Sequence, residues 1–256
     1  MRQVAVDIVD TNADTVADCG FCGFKNAKQE GYRRKVAWLQ KRFAEGLKFK
    51  VLEARGEGAI GFIEYIPGEY TWRPIEAPGY MVIHCVMIHR KEFKGKGYGK
   101  LLVEECLEDA KRAKMHGVAV VTSGGTWMAS KDLFSRSGFE AVDTAPPSFE
   151  LLVKRSRNAP SPTFKTGWDA RLRRYGSGLT IIQSDQCPCI AKSTADILEA
   201  CDDLGIRPKV VDLKTGRQAR AAPSAYGIFN IVYDGKLVAE HPISATRFRN
   251  IMRKVM

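Results

Sequence analysis

Residues 94–100 read Lys-Gly-Lys-Gly-Tyr-Gly-Lys, three glycines alternating among three lysines, directly ahead of an amphipathic segment. A loop stripped of side chains that opens a helix turns successive backbone N–H groups outward. Together with the helix dipole, these amides make a site for phosphate oxygens. The Walker pattern fails here, because no Lys-Ser or Lys-Thr pair closes the loop. The dinucleotide fingerprint fails as well: its third glycine is out of place and no ribose-binding acid follows. Just upstream, residues 84–89 read His-Cys-Val-Met-Ile-His inside an apolar run. A histidine that titrates near neutral pH could take a proton at His84, and a hydrogen-bonded core histidine is the competing reading. Cys85 is read as packing or as a catalytic thiol, and His89 as structural or phosphate-facing.

Two cysteine pairs also carry chemistry: Cys19 and Cys22 in CGFC, and Cys187 and Cys189 in CPC. Seven cysteines is an odd number for a structural disulfide framework. A thiol at a helix N-terminus has its thiolate favoured, so Cys187 is the more reactive of its pair. A disulfide between i and i+2 closes a strained, easily reduced ring. A soft metal such as Zn(II) or Cu(I) is the competing use, although two thiolates alone make an incomplete zinc site. A pair with no present role is the third reading. Cys106 and Cys201 fall on buried helix faces and read as core.

The elements that must position these groups follow from periodicity. Residues 3–9 alternate as a strand, and residues 15–46 read as helix in two pieces, broken near 20–23 and at Gly31. Residues 47–54 and 59–66 form a hairpin. Residues 80–89 are so continuously apolar that both faces of the strand must be covered. A helix is expected from about 97 to 116, a strand at 118–123, a short helix within 127–138, and a strand pair at 139–145 and 148–155. Between 154 and 175, seven basic residues stand against the single acid Asp169, more than half of the net charge of +11. That stretch is broken by Pro and Gly and reads as a linker. Regular pattern then resumes: a strand at 179–184, a helix behind CPC, a strand at 209–213, a short helix, a hairpin turning at Asp234-Gly235, and a terminal helix capped by Ser244.

The excess charge would attract polyanions. No apolar run reaches the ~18 residues of a membrane span, and the first residues lack a leader's apolar core. A cytoplasmic protein with no membrane partner is the expectation.

This order of elements, with Lys94-Gly95-Lys96-Gly97-Tyr98-Gly99 at its centre and Leu133-Phe134-Ser135-Arg136-Ser137-Gly138-Phe139 behind it, resembles the GNAT superfamily of acyl-CoA-dependent N-acyltransferases. Their phosphate loop runs Arg/Gln-x-x-Gly-x-Gly/Ala, here with Lys first, and a short helix ending in Gly-Phe follows. The resemblance covers about residues 1–153. It implies a mixed central sheet flanked by helices, with acetyl-CoA as acyl donor. Lys94, Gly95, Lys96, Gly97, Tyr98, Gly99 and Lys100, with His89, would hold the donor's phosphates. The family's base aligns near Ile83 or His84. Its usual acid, a tyrosine, aligns with Phe134, which cannot donate a proton. Tyr98, Cys85 or water would then substitute, or the thiolate would leave unaided. The region of Cys19 and Cys22 lies near the acceptor side in such a fold, so these thiols could flank the substrate, with Cys85 gathered beside them. Two partly buried cysteines at a helix kink is the plain alternative.

Residues 179–256 resemble a small thioredoxin-like α/β domain, in which Pro223 stands where that family carries a cis-proline. The two together, across a linker at 154–178, resemble the YoaP-like proteins. The reading is an acetyl-CoA-dependent N-acetyltransferase acting on an unidentified amine, small molecule or peptide, that could itself bear a thiol. The appended domain would respond to thiols, redox state or a soft metal. Two alternatives stay open: a thiol-disulfide or metal-binding protein on the same scaffold, and a nucleic-acid binder. The latter would use the basic linker, where Phe164, Trp168 and Tyr175 interleave with arginines, and it is disfavoured against a solvated linker.

Overall fold

The computed structural model describes residues 5–22, 24, 27–125 and 127–256. The chain divides into two compact units. One comprises Met1–Asn26, Val36–Thr71 and Ile75–Phe164, and the other Ala27–Lys35, Trp72–Pro74 and Lys165–Met256.

The first unit is built on β1 (Val6–Asp10), β2 (Lys48–Ala54), β3 (Gly58–Pro67), β5 (Tyr80–Ile88), β6 (Gly117–Ser123), β7 (Glu140–Ala145) and β8 (Phe149–Arg155). They form one seven-stranded sheet in the order β1-β2-β3-β5-β6-β8-β7. Every pairing is antiparallel except β5 with β6, which are parallel. Parallel neighbours need a crossover, and α2 (Tyr98–Arg112) supplies it. The helices α1 (Glu30–Phe43) and α3 (Lys131–Ser135) complete this part of the chain, with α1 counted in the first unit from Val36 onward. A two-stranded ribbon pairs β4 (Ile75–Glu76) with β9 (Thr163–Phe164).

The strands alternate as their sequences require. On one face Ile63, Tyr65, Ile83, Val118, Val120 and Leu152 meet Leu102, Val103, Cys106 and Ala110 of α2, whose spacing makes a single apolar stripe. On the other face Phe49 stacks on Phe62 at 5.1 Å between ring centroids, and Phe21 packs edge-on to Phe49 at 5.6 Å. β5 is buried from Tyr80 through His84, as its unbroken apolar text demands.

An apolar stripe leaves a helix free to slide along a sheet, and a polar lock fixes α2. Lys50 on β2 reaches Glu105 at 2.6 Å, Asp109 at 2.9 Å and Asp10 at 3.1 Å, and its side chain is almost wholly buried. The Tyr65 hydroxyl donates to Asp109, and Arg112 pairs with both Asp109 and Glu105. Burial alone would lower the ammonium's pKa, but the three carboxylates win and push Lys50 up to about 12. Burial would likewise raise the Asp109 carboxyl, yet hydrogen bonds from Tyr65, Lys50 and Arg112 hold it below the usual carboxylate range.

Two expectations need correction. Of the two helical pieces read in 15–46, only the second forms, as α1, and Gly31 lies inside it rather than breaking it. The first is a single 3-10 turn, Val16–Asp18. Asn12 Oδ1 accepts the amides of Asp14 and Thr15 at 2.9 and 3.0 Å, a local bond that competes with helix. Phe21 then bridges to Phe24 across Cys22, which has φ 52°. Cys22 therefore lies within the Phe21–Phe24 bridge and Cys19 ends the 3-10 turn ahead of it, so the pair is not at a helix kink; Gly23, where a break was also read, lies outside the described residues. The strand read from residue 3 is described only from Val6.

In the second unit, β10 (Leu179–Gln183), β11 (Lys209–Asp212), β12 (Phe229–Tyr233) and β13 (Lys236–Ala239) form a sheet ordered β11-β10-β12-β13, with only β10 and β11 parallel. Its helices are α4 (Trp168–Arg173), α5 (Cys189–Asp203), α6 (Gly216–Arg220) and α7 (Ala245–Val255). Ser244 caps α7 by accepting from the Arg247 amide, and Asp234 and Gly235 turn the β12–β13 hairpin with positive φ at both. The basic stretch read as linker contains β9 and α4. Arg171 there donates to the carbonyls of Thr166, Arg220 and Ala222 and lies over the Trp168 ring, while Phe164 is buried. The Ala222–Pro223 bond is not cis; among the described residues the cis X–Pro bond is Pro146–Pro147. Among the described residues no helix is long and apolar enough to cross a membrane.

The lock makes a pH-dependent prediction. A depressed carboxyl contributes stability above its unfolded pKa of about 3.9 and loses it as pH falls through the lower folded value. Asp109→Asn should therefore cost roughly 1–3 kcal/mol at pH 7. In melting curves, the gap to the wild type should close as pH drops below about 4.

Candidate active site

The loop ahead of α2 has the geometry its glycines suggest. Gly95 and Gly97 sit at φ 74° and 86°, a region open to glycine and costly to other residues. A Cβ on either would meet nothing within 4 Å, so their absent side chains leave open space rather than room for packing. Gly97 is the N-cap of α2, no side chain caps the helix, and no acid stands in its first turn. The amides of Tyr98, Gly99 and Lys100 have no intrahelical acceptor, as at any helix start. Those of Gly95, Lys96 and Gly97 donate to no backbone carbonyl among the described residues.

These amides border a cleft of about 780 Å³ lined by Ile88, Phe93, Lys94, Tyr98, Lys100, Ser130, Asp132, Leu133 and Arg136 with the three glycines. A hollow of about 440 Å³ adjoins the same loop, with Lys96, Lys100 and Tyr98 on its wall. Of the phosphate-site residues read from sequence, Lys94 to Lys100 thus come together. His89 does not join them: its Nε2 donates to the Ala59 carbonyl at 2.9 Å and its amide to Ile60, tying the end of β5 to β3. Arg136, which the sequence reading passed over, adds a cation at the N-terminal side of Gly138.

The second feature is where β5 leaves β6. Their ladder runs only from Tyr80↔Gly117 to Ile83↔Val120, while β5 continues to Ile88 and β6 to Ser123. From His84 onward β5 has no ladder partner on that side among the described residues. On its other side the β3–β5 register passes from Glu64↔Cys85 to Tyr65↔Ile83. His84 is therefore the extra residue of a β-bulge, the device that commonly re-aims a strand beside a site.

His84 itself is enclosed. Nδ1 lies 3.3 Å from Glu64 Oε1 and Nε2 lies 3.2 Å from Thr71 Oγ1, with the Trp38 ring 6.4 Å away. A carboxylate at Nδ1 makes that nitrogen the donor and leaves Nε2 to accept from the hydroxyl. Neither the histidine nor the glutamate side chain is exposed. Glu64 falls between Ile63 and Tyr65, which face α2, so its carboxylate and His84 lie on the opposite face of the sheet. Sequence reasoning missed Glu64. The signal was available, as the one acid in the strand text Ala-Ile-Gly-Phe-Ile-Glu-Tyr-Ile. Cys85 next to it is half-buried, and Phe134, at the family's acid position, is fully buried against Phe139.

The two cysteine pairs belong to different units. Cys187 and Cys189 flank Pro188 at the start of α5. Within the same unit the start of α1 lies against this turn: a Cβ on Gly31 would fall 2.0 Å from the Pro188 carbonyl oxygen, and Arg34 pairs with Asp185 at 2.6 Å. None of the seven cysteines is in a disulfide. Among the described residues no group of three or more His, Cys, Asp or Glu could hold a metal, so the soft-metal reading of Cys19, Cys22, Cys85, Cys187 and Cys189 finds no support.

Residues 17–139 match the family model described as Acetyltransferase (GNAT) family, and residues 209–250 match the one described as YoaP-like. The chain is 28% identical over 249 residues to a protein of Bacillus subtilis (strain 168) named "Uncharacterized N-acetyltransferase YoaP", covering 95% of this chain and 97% of that one. It is 32% identical over 111 residues to the L-methionine sulfoximine/L-methionine sulfone acetyltransferase of Pseudomonas aeruginosa, covering 43% of this chain and 60% of that one. Among solved structures, the PaiA N-acetyltransferase of Thermoplasma acidophilum in complex with coenzyme A is 15% identical, with TM-score 0.42, covering 59% of this chain and 99% of that one. The chain is thus similar to the GNAT acetyltransferases over residues 17–139 and to YoaP-like proteins over residues 209–250, and its relatives are named N-acetyltransferases.

The thiols are unequal, and labelling will show it. Burial, then the neighbouring Asp109, pushes Cys106 well above the ordinary thiol range, and burial with Asp202 pushes Cys201 up to about 11. Iodoacetamide on native protein at pH 8, read by peptide mass spectrometry, should leave Cys106 and Cys201 unmodified until the chain is unfolded.

Proposed function

We propose that the chain transfers an acetyl group from acetyl-CoA to the amine of a small, amino-acid-like molecule. The supporting observation is the uncapped N-terminus of α2, opened by two left-handed glycines onto a cationic cleft that reaches Ile88 at the end of β5, the strand that parts from β6 after Ile83. Lys94, Lys96, Lys100 and the amides of residues 95–100 would hold the donor's phosphates, and Arg136 would add charge beside them. Acetyl-CoA supplies an activated thioester. The residues of the chain must orient it, accept a proton from the amine and donate one to the departing thiolate. Tyr98, at the first position of α2 and on the wall of the cleft, is the assigned donor. The acceptor is assigned to the bulge of His84 and Cys85, with Glu64 fixing the imidazole. The small-molecule acceptor is favoured by the name of the Pseudomonas aeruginosa relative.

For the second unit we infer a thioredoxin-like domain whose CPC pair makes the enzyme responsive to thiol redox state. The order β11-β10-β12-β13, the single parallel pair and the cysteines at the start of α5 support it. On oxidation by glutathione disulfide, two thiols of the protein would lose two electrons and two protons, yielding two molecules of glutathione. Cys19 and Cys22 are assigned as thiols that flank the acceptor.

Two experiments test these readings. Titration calorimetry with acetyl-CoA, on reduced and on glutathione-disulfide-treated protein with thiols counted, should show binding. A difference between the states would support the redox role, and no binding in either state would overturn the acetyltransferase assignment. Gly97→Val should weaken that binding at least tenfold with little loss of secondary structure, because it strains the turn and fills the open space. His84→Gln separates base from core: a base role removes the ascending limb of the pH–rate profile near neutrality, whereas a purely structural role lowers the melting temperature and leaves the profile's shape unchanged.

A further inference from the structure

The loop that carries the glycines has no fastening of its own. The amides of Gly95, Lys96 and Gly97 donate to no backbone carbonyl among the described residues, and a Cβ on Gly95 or Gly97 would touch nothing. A segment without packing or internal hydrogen bonds wanders unless its ends are held, and the entropy of ordering it then weakens whatever it binds. Its far end is held, because α2 is locked onto the sheet through Lys50. The near end needs an anchor.

Arg90 stands where that anchor is required. It follows the end of β5 and opens the 3-10 turn Lys91–Phe93 that leads into the loop. Its Nε donates to Glu92 at 2.6 Å, and its Nη1 donates to the Glu57 carboxylate at 2.6 Å and to the Glu57 carbonyl at 3.2 Å. Glu57 is at the tip of the β2–β3 hairpin, between Gly56 and Gly58 with φ 80° and 73°, and its own amide donates to the Ala54 carbonyl. The guanidinium also lies over the Phe93 ring, 5.2 Å from its centroid, and Phe93 is buried and lines the cleft. Lys96 of the loop lies over that ring too, with Nζ 5.6 Å from the centroid. One aromatic ring therefore joins the clamped arginine to a lysine of the loop.

Stability does not account for this arrangement. The side chains of Arg90, Glu57 and Glu92 are 30%, 46% and 53% exposed, and ion pairs so placed add little to folding. Nor does the guanidinium line the cleft or the adjoining hollow, and two carboxylates already neutralise it. We propose that Arg90 is a positioning residue for donor binding: held by Glu57 and Glu92, it fixes the entry of the glycine loop and, through Phe93, the place of Lys96, so that the loop is set before the anion arrives. The proposal rests on the acetyltransferase reading of the preceding subsection.

The test turns on the sign of one charge. Glu57→Gln removes a negative charge beside a cationic loop. Were charge alone at work, that change would tighten anion binding; a broken clamp weakens it. Titration calorimetry with CoA and acetyl-CoA should show Glu57→Gln and Arg90→Ala each binding about two- to fivefold more weakly than wild type, the scale of an exposed charged pair. Both should melt with wild type. The double variant should bind no more weakly than Arg90→Ala alone, since the two changes break one contact. Arg90→Lys, with a single ammonium to serve two carboxylates, should fall between Arg90→Ala and wild type. Equal or tighter binding by Glu57→Gln would overturn the assignment. So would a marked fall in its melting temperature, since the contact would then serve the fold and not the loop. If wild type itself binds neither CoA nor acetyl-CoA, the acetyltransferase reading fails and this proposal falls with it, an outcome read before any variant is made.

Discussion

The site depends on one pair of strands failing to stay together. Six ladders join the seven strands of the first unit, five antiparallel and one parallel, and the parallel one stops after four residue pairs. Two of the antiparallel pairs, β2–β3 and β7–β8, are drawn together by short turns. Parallel neighbours are joined only through a crossover, so nothing local forces β5 and β6 to remain paired beyond Ile83 and Val120. The bulge at His84 then turns β5 just where the ladder ends. The result is a gap in the middle of a sheet whose two walls are each still held on their far side, β5 by β3 and β6 by β8. A gap at an edge would fray; one in the centre is rigid on both flanks.

The same crossover positions the proposed anion site. Because α2 must start where β5 ends and return to where β6 begins, its positive end comes to lie by the mouth of the gap. Position along the sheet then matters. The apolar stripe of Leu102, Val103, Cys106 and Ala110 sets which side of α2 faces inward, and the contacts of Lys50 with Glu105 and Asp109 set how far along it sits. A lysine nearly enclosed among three carboxylates is a demanding arrangement: it loses hydration that only correct geometry returns. Such a contact penalises misplacement sharply, and so fixes where the glycine loop at the start of α2 sits.

Much of this was legible in the text of the chain because it rests on local rules. The glycine loop, the doubly covered strand, the core cysteines Cys106 and Cys201, the Ser244 cap and the Asp234-Gly235 turn each follow from a few adjacent residues. What was misread depends on bonds between residues that no periodicity links. Residues 15–29 have helical composition, but Asn12 captures the amides that a helix would need, and Phe21 closes on Phe24 instead. The stretch 154–178 looks like a solvated linker because it is basic and broken. Yet Arg171 reaches carbonyls some fifty residues away at Arg220 and Ala222, and that pairing has no sequence signature.

Glu64 shows the limit most clearly. A search for a base looks along β5, where His84 and Cys85 stand out, because the acid expected there is missing. The carboxylate is one strand over, brought opposite Cys85 by the β3–β5 register. That register is set by the bulge, and the bulge is the insertion of His84 itself. Remove the extra residue and the strand beyond it would present its opposite face, since a one-residue slip reverses every side chain. The histidine thus meets the glutamate because it is the residue that shifts the register. A position can be read from a motif only when its partner lies within the motif. Here the partner is defined by the very irregularity that the motif contains.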